Sequence, residues 1–103
     1  MSALSVTKTK DNETLTAVIS GRIDTTTSPE LDNEIKGSLD GISKLVLDFA
    51  KVEYISSSGL RVLLSLHKSM IANKGELIIS KPTEMVLEVF EVTGFADMLN
   101  IEQ

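Results

Sequence analysis

Three consecutive hydroxyls followed by a glycine, Ser56-Ser57-Ser58-Gly59, stand where Val52-Glu53-Tyr54-Ile55 hands over to a longer amphipathic run. If that run is a helix, its first turn offers unpaired backbone N–H groups and about half a positive charge from the helix dipole, an environment that favours an anion such as phosphate. Serine ahead of a helix is most commonly a cap. One serine is enough to cap, so three in a row leave at least one hydroxyl for another purpose. A serine nucleophile is a poor alternative. The Gly-x-Ser-x-Gly elbow around Ser57 would need glycine where Ile55 stands. The single histidine, His67, lies ten residues further along the same run, about 15 Å away on a helix, which defeats a Ser-His pair within the chain. His67 falls within the apolar arc of that helix and reads as a core or boundary histidine.

The remaining chemistry is excluded largely by counting. The chain has no cysteine, which removes disulfides, thiolate metal sites and a cysteine nucleophile together. Its carboxylates are scattered, with no HxxxH, DxD or EF-hand spacing, and Gly21, Gly37 and Gly41 form neither a dinucleotide nor a Walker pattern. Glu30, Asp32 and Glu34 read as a solvated helix face. No cofactor and no metal are expected.

A chain of 103 residues with 42% hydrophobic residues is sized for one small domain over residues 1–103, with any ligand pocket shallow. A net charge of -5 argues against nucleic acid as partner, since phosphate backbones demand a concentrated basic surface. No run approaches the ~18–20 apolar residues of a membrane span. The start MSALSVTKTK lacks a basic region followed by an apolar core, so neither a leader nor a membrane partner is expected and the reading is cytoplasmic. Charge is unevenly distributed. Residues 1–53 carry nine acids against six bases, residues 54–74 carry Arg61, Lys68 and Lys74 with no acid, and residues 75–103 carry six acids against Lys81. The serine turn therefore lies in the one cationic stretch.

The elements that must position it follow from periodicity. Leu4 and Val6 alternate with polar residues before Lys10-Asp11-Asn12-Glu13, and Leu15, Ala17 and Ile19 alternate after it, the pattern of a hairpin. Ser28-Pro29 predicts a helix start with Ser28 as cap, Leu31, Ile35 and Leu39 inward, and Gly37 and Gly41 at its end. Lys44 to Ala50 reads as the central strand. Gly59 to Asn73 reads as a helix with Leu60, Val62, Leu63, Leu64, Leu66, Met70 and Ile71 inward and Arg61, Ser65, Lys68, Ser69 and Ala72 outward. Leu77-Ile78-Ile79 predicts a strand, and Pro82 opens a helix that buries Met85, Val86, Val89 and Phe90 and stops at Gly94. A last short strand is expected around Leu99 to Ile101. The fold class is α/β: a mixed sheet, an opening hairpin followed by alternating strand and helix, with helices packed on one or both faces.

The run LVLDFAKVEYISSSGLRVLL at residues 45–64, Gly21-Arg22-Ile23-Asp24-Thr25-Thr26-Thr27 ahead of the first helix, and Val89-Phe90-Glu91-Val92-Thr93-Gly94-Phe95 resemble, in order, the motifs of STAS domains. The likeness is specifically to the stand-alone bacterial anti-sigma factor antagonists, and it spans nearly the whole chain. The resemblance implies a STAS-like fold and a non-enzymatic switch. Such a domain binds an anti-sigma factor, often also a serine kinase that uses ATP, and so frees a sigma factor. Phosphorylation of a serine in the turn before the helix abolishes binding, and a serine phosphatase resets the switch. By position the implied acceptor is Ser57, ahead of Ser58 and Ser56. The implied partner-binding residues are Asp24, Thr25, Ser56, Ser58, Gly59, Arg61, Ser65 and Lys68. Many members carry aspartate immediately before the acceptor, where this chain has Ser56. That departure leaves room for another reading, a STAS-like subunit of a transport or other signalling complex that uses the same face without phosphorylation.

Overall fold

The computed structural model describes residues 4–103, so the first three residues of the start read above lie outside the described residues. The elements are β1 (Leu4–Asp11), β2 (Thr14–Ile23), α1 (Ser28–Lys36), β3 (Lys44–Ile55), α2 (Ser57–Ala72), β4 (Glu76–Ser80), α3 (Glu84–Thr93), α4 (Phe95–Met98) and β5 (Asn100–Glu102). The five strands lie in one sheet in chain order. The β1/β2 pair is antiparallel and every other pair is parallel. The hairpin closes on Asp11 opposite Thr14, with Asn12 in the left-handed region at φ 56, which asparagine tolerates better than most residues. Each of β2, β3 and β4 is followed by a helix before the next strand, as parallel neighbours require.

Alternation along the strands sets the core. Leu15, Ala17, Ile19 and Ile23 of β2 and Leu45, Leu47 and Phe49 of β3 are buried, while Thr14, Thr16, Val18 and Ser20 between them are half-buried. Onto that buried face α2 brings Leu60, Leu63, Leu66 and Met70, α1 brings Leu31 and Ile35, and α3 brings Val86 and Phe90. Phe90 meets Phe49 with ring centroids 6.3 Å apart. No helix among the described residues is long and apolar enough to cross a membrane.

The structure corrects several expectations. β3 does not stop at Ala50 but runs twelve residues to Ile55. The charged residues Lys51 and Glu53 hide this in the sequence, and register shifts against β2 accommodate them while Val52 and Ile55 stay buried. Ser28 does not cap α1: the N-cap position is Thr27, and Ser28 is the first helical residue, its hydroxyl donating back to the Asp24 carbonyl. α2 begins at Ser57, two residues before Gly59. Ile71 and Met85, expected inside, are 56% and 60% exposed. Each helix lies on the sheet by a narrow stripe at i, i+3 and i+4, and these two residues fall beyond its edge. Pro82 precedes α3 and Thr83 caps it, its hydroxyl accepting from Val86 N at 3.3 Å. Gly94 ends α3 at φ 85, as its position suggested, and the short α4 follows unannounced.

Phe49→Ala is expected to lower stability by about 3–5 kcal/mol, because a fully buried ring is replaced by a cavity. A urea titration would show it as a fall in midpoint.

Candidate functional site

The serine turn is built by a close approach. Ser56 N donates to the Ile23 carbonyl at 2.8 Å, tying the start of α2 to the carboxyl end of β2. One turn in, Gly59 sits so near the sheet that a Cβ there would lie 2.6 Å from a methyl of Ile23 and 2.7 Å from Ile55 Cγ1. Ser56 is the N-cap, with extended backbone, and its hydroxyl accepts from Gly59 N at 3.3 Å. Of the three serines, Ser56 is thus the one occupied by capping. Ser57 is exposed and its hydroxyl makes no hydrogen bond among the described residues, whereas Ser58 is half-buried. The first turn of α2 carries no acidic residue to oppose an anion.

Ser58 lines a surface hollow of about 280 Å³ between α1 and α2, together with Thr25, Pro29, Asp32, Arg61 and Val62. Beyond it, Arg61, Ser65 and Lys68 follow Ser57 and Ser58 at helical spacing and form one ridge of α2. Arg61 and Lys68 are exposed, and neither is in an ion pair among the described residues. Eight of the nine sequence-derived site residues, Asp24, Thr25, Ser56, Ser57, Ser58, Arg61, Ser65 and Lys68, are exposed or half-buried. Gly59 is buried, and its contribution is the close packing rather than a contact surface.

Asp24 organises the neighbouring turn. Its Oδ1 accepts from Thr26 N at 2.9 Å and from Thr27 N at 3.0 Å. The Thr27 hydroxyl donates to the Arg22 carbonyl at 2.7 Å and accepts from Asp24 N at 2.8 Å. The hydrogen bond from Thr27 N, seconded by that from Thr26 and by the Arg22 charge, holds the Asp24 carboxyl below its ordinary 3.8 against the opposing effect of desolvation. The carboxylate is engaged within its own turn, which shapes the entry to α1 beside the serines. Thr27 escaped the sequence reading, although its bonds are local and an aspartate followed three residues later by threonine ahead of a helix is a signal that could have found it. A second feature escaped it too: the Arg22 guanidinium stacks on the Tyr54 ring at 4.4 Å. These two residues are 32 positions apart and become partners only through the β2/β3 register. His67 is half-buried, in keeping with a boundary residue, and no group of residues among those described could hold a metal ion.

This arrangement, a parallel sheet end against a serine-capped helix, matches a known family. The STAS domain model matches residues 5–103, and the chain belongs to that family. It is 32% identical over 99 residues to the putative anti-sigma factor antagonist BtrV of Bordetella bronchiseptica, covering 95% of this chain and 85% of that protein. It is 29% identical over 97 residues to the anti-sigma-B factor antagonist of Listeria monocytogenes, covering 92% and 84%. Its fold is similar to that of the Bacillus cell fate determinant SpoIIAA. The unphosphorylated form gives a TM-score of 0.83 at 18% identity over 96% of this chain and 89% of that one. The phosphorylated form gives 0.75 at 17% identity over 96% and 92%. Both curated relatives are named as anti-sigma factor antagonists, and the match to each covers more than nine-tenths of this chain.

Gly59→Ala is expected to destabilise by about 1–3 kcal/mol, the cost of overpacking, against a gain in helix propensity of at most about 1 kcal/mol; a lowered Tm would show it. The Asp24 carboxyl, with a folded pKa below its unfolded one, stabilises the fold fully above the ordinary 3.8 and progressively less as pH falls toward the folded pKa. Asp24→Asn should therefore melt below wild type at neutral pH, with the gap narrowing as pH falls below the ordinary 3.8 in a series of melting curves.

Proposed function

We propose that the chain is an anti-sigma factor antagonist of the cytoplasm. In this reading it docks the start and outer ridge of α2 on an anti-sigma factor, frees a sigma factor, and is switched off by phosphorylation of Ser57. The observation that carries the reading is the division of labour in the serine turn. Ser56 caps α2, so the neighbouring Ser57 hydroxyl is exposed and unengaged at a helix N-terminus. The named functions of the Bordetella and Listeria relatives, and the existence of SpoIIAA in a phosphorylated form, support it. Serine in place of the family's usual aspartate at position 56 keeps a capping oxygen and removes one negative charge from beside the phosphate.

The anti-sigma factor acts as the kinase. Ser57 Oγ attacks the γ-phosphorus of its ATP, the bond to the β-phosphate oxygen breaks, ADP leaves, and the hydroxyl proton passes to the kinase. A serine phosphatase returns inorganic phosphate and the free hydroxyl with one water. The product carries about -1.5 to -2 charge at pH 7. Within the domain the helix dipole and the acid-free first turn accommodate that charge. Its cost falls on the interface, where a hydrated dianion would meet a surface formed around a neutral hydroxyl. Desolvation and repulsion there amount to several kcal/mol if the facing surface is acidic.

Incubation with serine kinases encoded by the same genome, followed by mass spectrometry, should place phosphate on Ser57, and Ser57→Ala should remove it while retaining binding. Ser57→Asp should weaken anti-sigma factor binding at least tenfold without lowering Tm. No label on Ser56, Ser57 or Ser58, with full binding by Ser57→Asp, would overturn the switch and favour a contact role without phosphorylation.

A further inference from the structure

The Arg22–Tyr54 pair lies outside the buried core. Arg22 and Tyr54 each precede a buried isoleucine, Ile23 and Ile55, on which Gly59 of α2 rests. Side chains alternate across a strand, so Arg22 and Tyr54 project from the opposite face of the sheet, at its carboxyl end. Their backbones are register partners, and the ring fixes the guanidinium at 4.4 Å. Tyr54 is 36% exposed and is the single exposed aromatic among the described residues. Arg22 is exposed as well and forms no hydrogen bond or ion pair among the described residues through its side chain. Neither Asp24, engaged by Thr26 and Thr27, nor Glu53 pairs with it.

Stacking covers one face of a guanidinium and leaves its N–H edges pointing outward, pre-organised for a two-pronged bond to a carboxylate. A stacked arginine has already lost the rotamer freedom that docking would otherwise remove, and tyrosine and arginine are the residue types that dominate binding energy at protein interfaces. The pair lies next to the serine turn along the chain: Ser56 N is bonded to Ile23 O, so Arg22 and Tyr54 each stand within two residues of the link that holds the start of α2 to the sheet end. Arg61 and Lys68 on α2 are exposed and in no ion pair among the described residues, and residues 54–74 hold no acid, so the α2 side of the turn is cationic.

We infer that Arg22, held by Tyr54, is the anchor of the docking surface, and that it takes a carboxylate of an acidic patch on the anti-sigma factor. The inference rests on the function proposed above and adds the chemistry of the partner: an acidic surface that spans the serine turn, with one carboxylate on the Arg22 fork and others facing the α2 ridge. An acidic partner also accounts for the force of the switch, because a phosphate on Ser57 would then stand in the middle of the partner's negative patch.

The test measures affinity for the anti-sigma factor kinase that labels Ser57, at two salt concentrations, for wild type, Arg22→Ala, Arg22→Lys, Tyr54→Ala and Tyr54→Phe. Arg22→Ala and Tyr54→Ala should each lose at least tenfold, chiefly in dissociation rate. Arg22→Lys should recover little of this and Tyr54→Phe nearly all. Arg22→Ala should also flatten the salt dependence, and Tm should stay unchanged in all four. A double-mutant cycle should show the two alanine losses to be less than additive. Wild-type binding with both alanine variants within twofold overturns the anchor and leaves the proposed function standing. Failure of the wild type to bind overturns both. Loss in Arg22→Ala of self-association by sedimentation, or of binding to phosphatidylglycerol vesicles, with anti-sigma factor affinity intact, overturns the inference in favour of a second copy or a membrane.

Discussion

Everything at the functional end of this molecule depends on how closely the start of α2 approaches the ends of β2 and β3. Only a residue without a side chain fits at Gly59, where a Cβ would come within 2.7 Å of both Ile23 and Ile55. That contact sets the height of the helix above the sheet. It also brings Ser56 N to the Ile23 carbonyl, and with the backbone thus held, the Ser56 hydroxyl is the one that turns inward to cap. Ser57 is then the residue that emerges. The same approach brings the Asp24 turn alongside α2, so that Thr25 and Ser58 line one hollow although they are 33 positions apart in the chain.

Electrostatics bear on the proposed switch as much as geometry does. The chain has a net charge of -5, yet the acids lie mainly before residue 54 and after residue 74. Several are already engaged, Glu34 with Lys8 at 3.0 Å and Asp32 with Lys36 at 3.3 Å. The turn and the ridge behind it are left with cations and a helix dipole. A phosphate added there has little reason to disturb the fold and strong reason to disturb an interface. In the proposed switch, modification would therefore alter binding while leaving stability nearly unchanged.

Much of this was legible beforehand, because the signals are local. Alternation marked the hairpin, the short apolar runs marked β3 and β4, and Gly94 marked the end of α3. The three serines before a helix were visible as a site with one hydroxyl too many for capping. What misled was periodicity taken over a broad arc. Ile71 and Met85 fit the inward side by angle alone, but a helix resting on a sheet buries a narrower stripe than a helix within a bundle. The charged Lys51 and Glu53 concealed the last third of β3 for a related reason: its pairing with β2, not its own hydrophobicity, keeps it a strand.

By itself the sequence determined the order of the five strands and the three longer helices, the α/β class and the location of the serine turn, since each is written in types and spacings a few residues long. Only the tertiary structure decided which serine caps and which is free, that Gly59 is a packing residue, and that Arg22 stacks on Tyr54. Those outcomes depend on the register of β2 against β3 and on the distance from α2 to the sheet. Both are settled by contacts between residues far apart in the chain, and no local pattern encodes them.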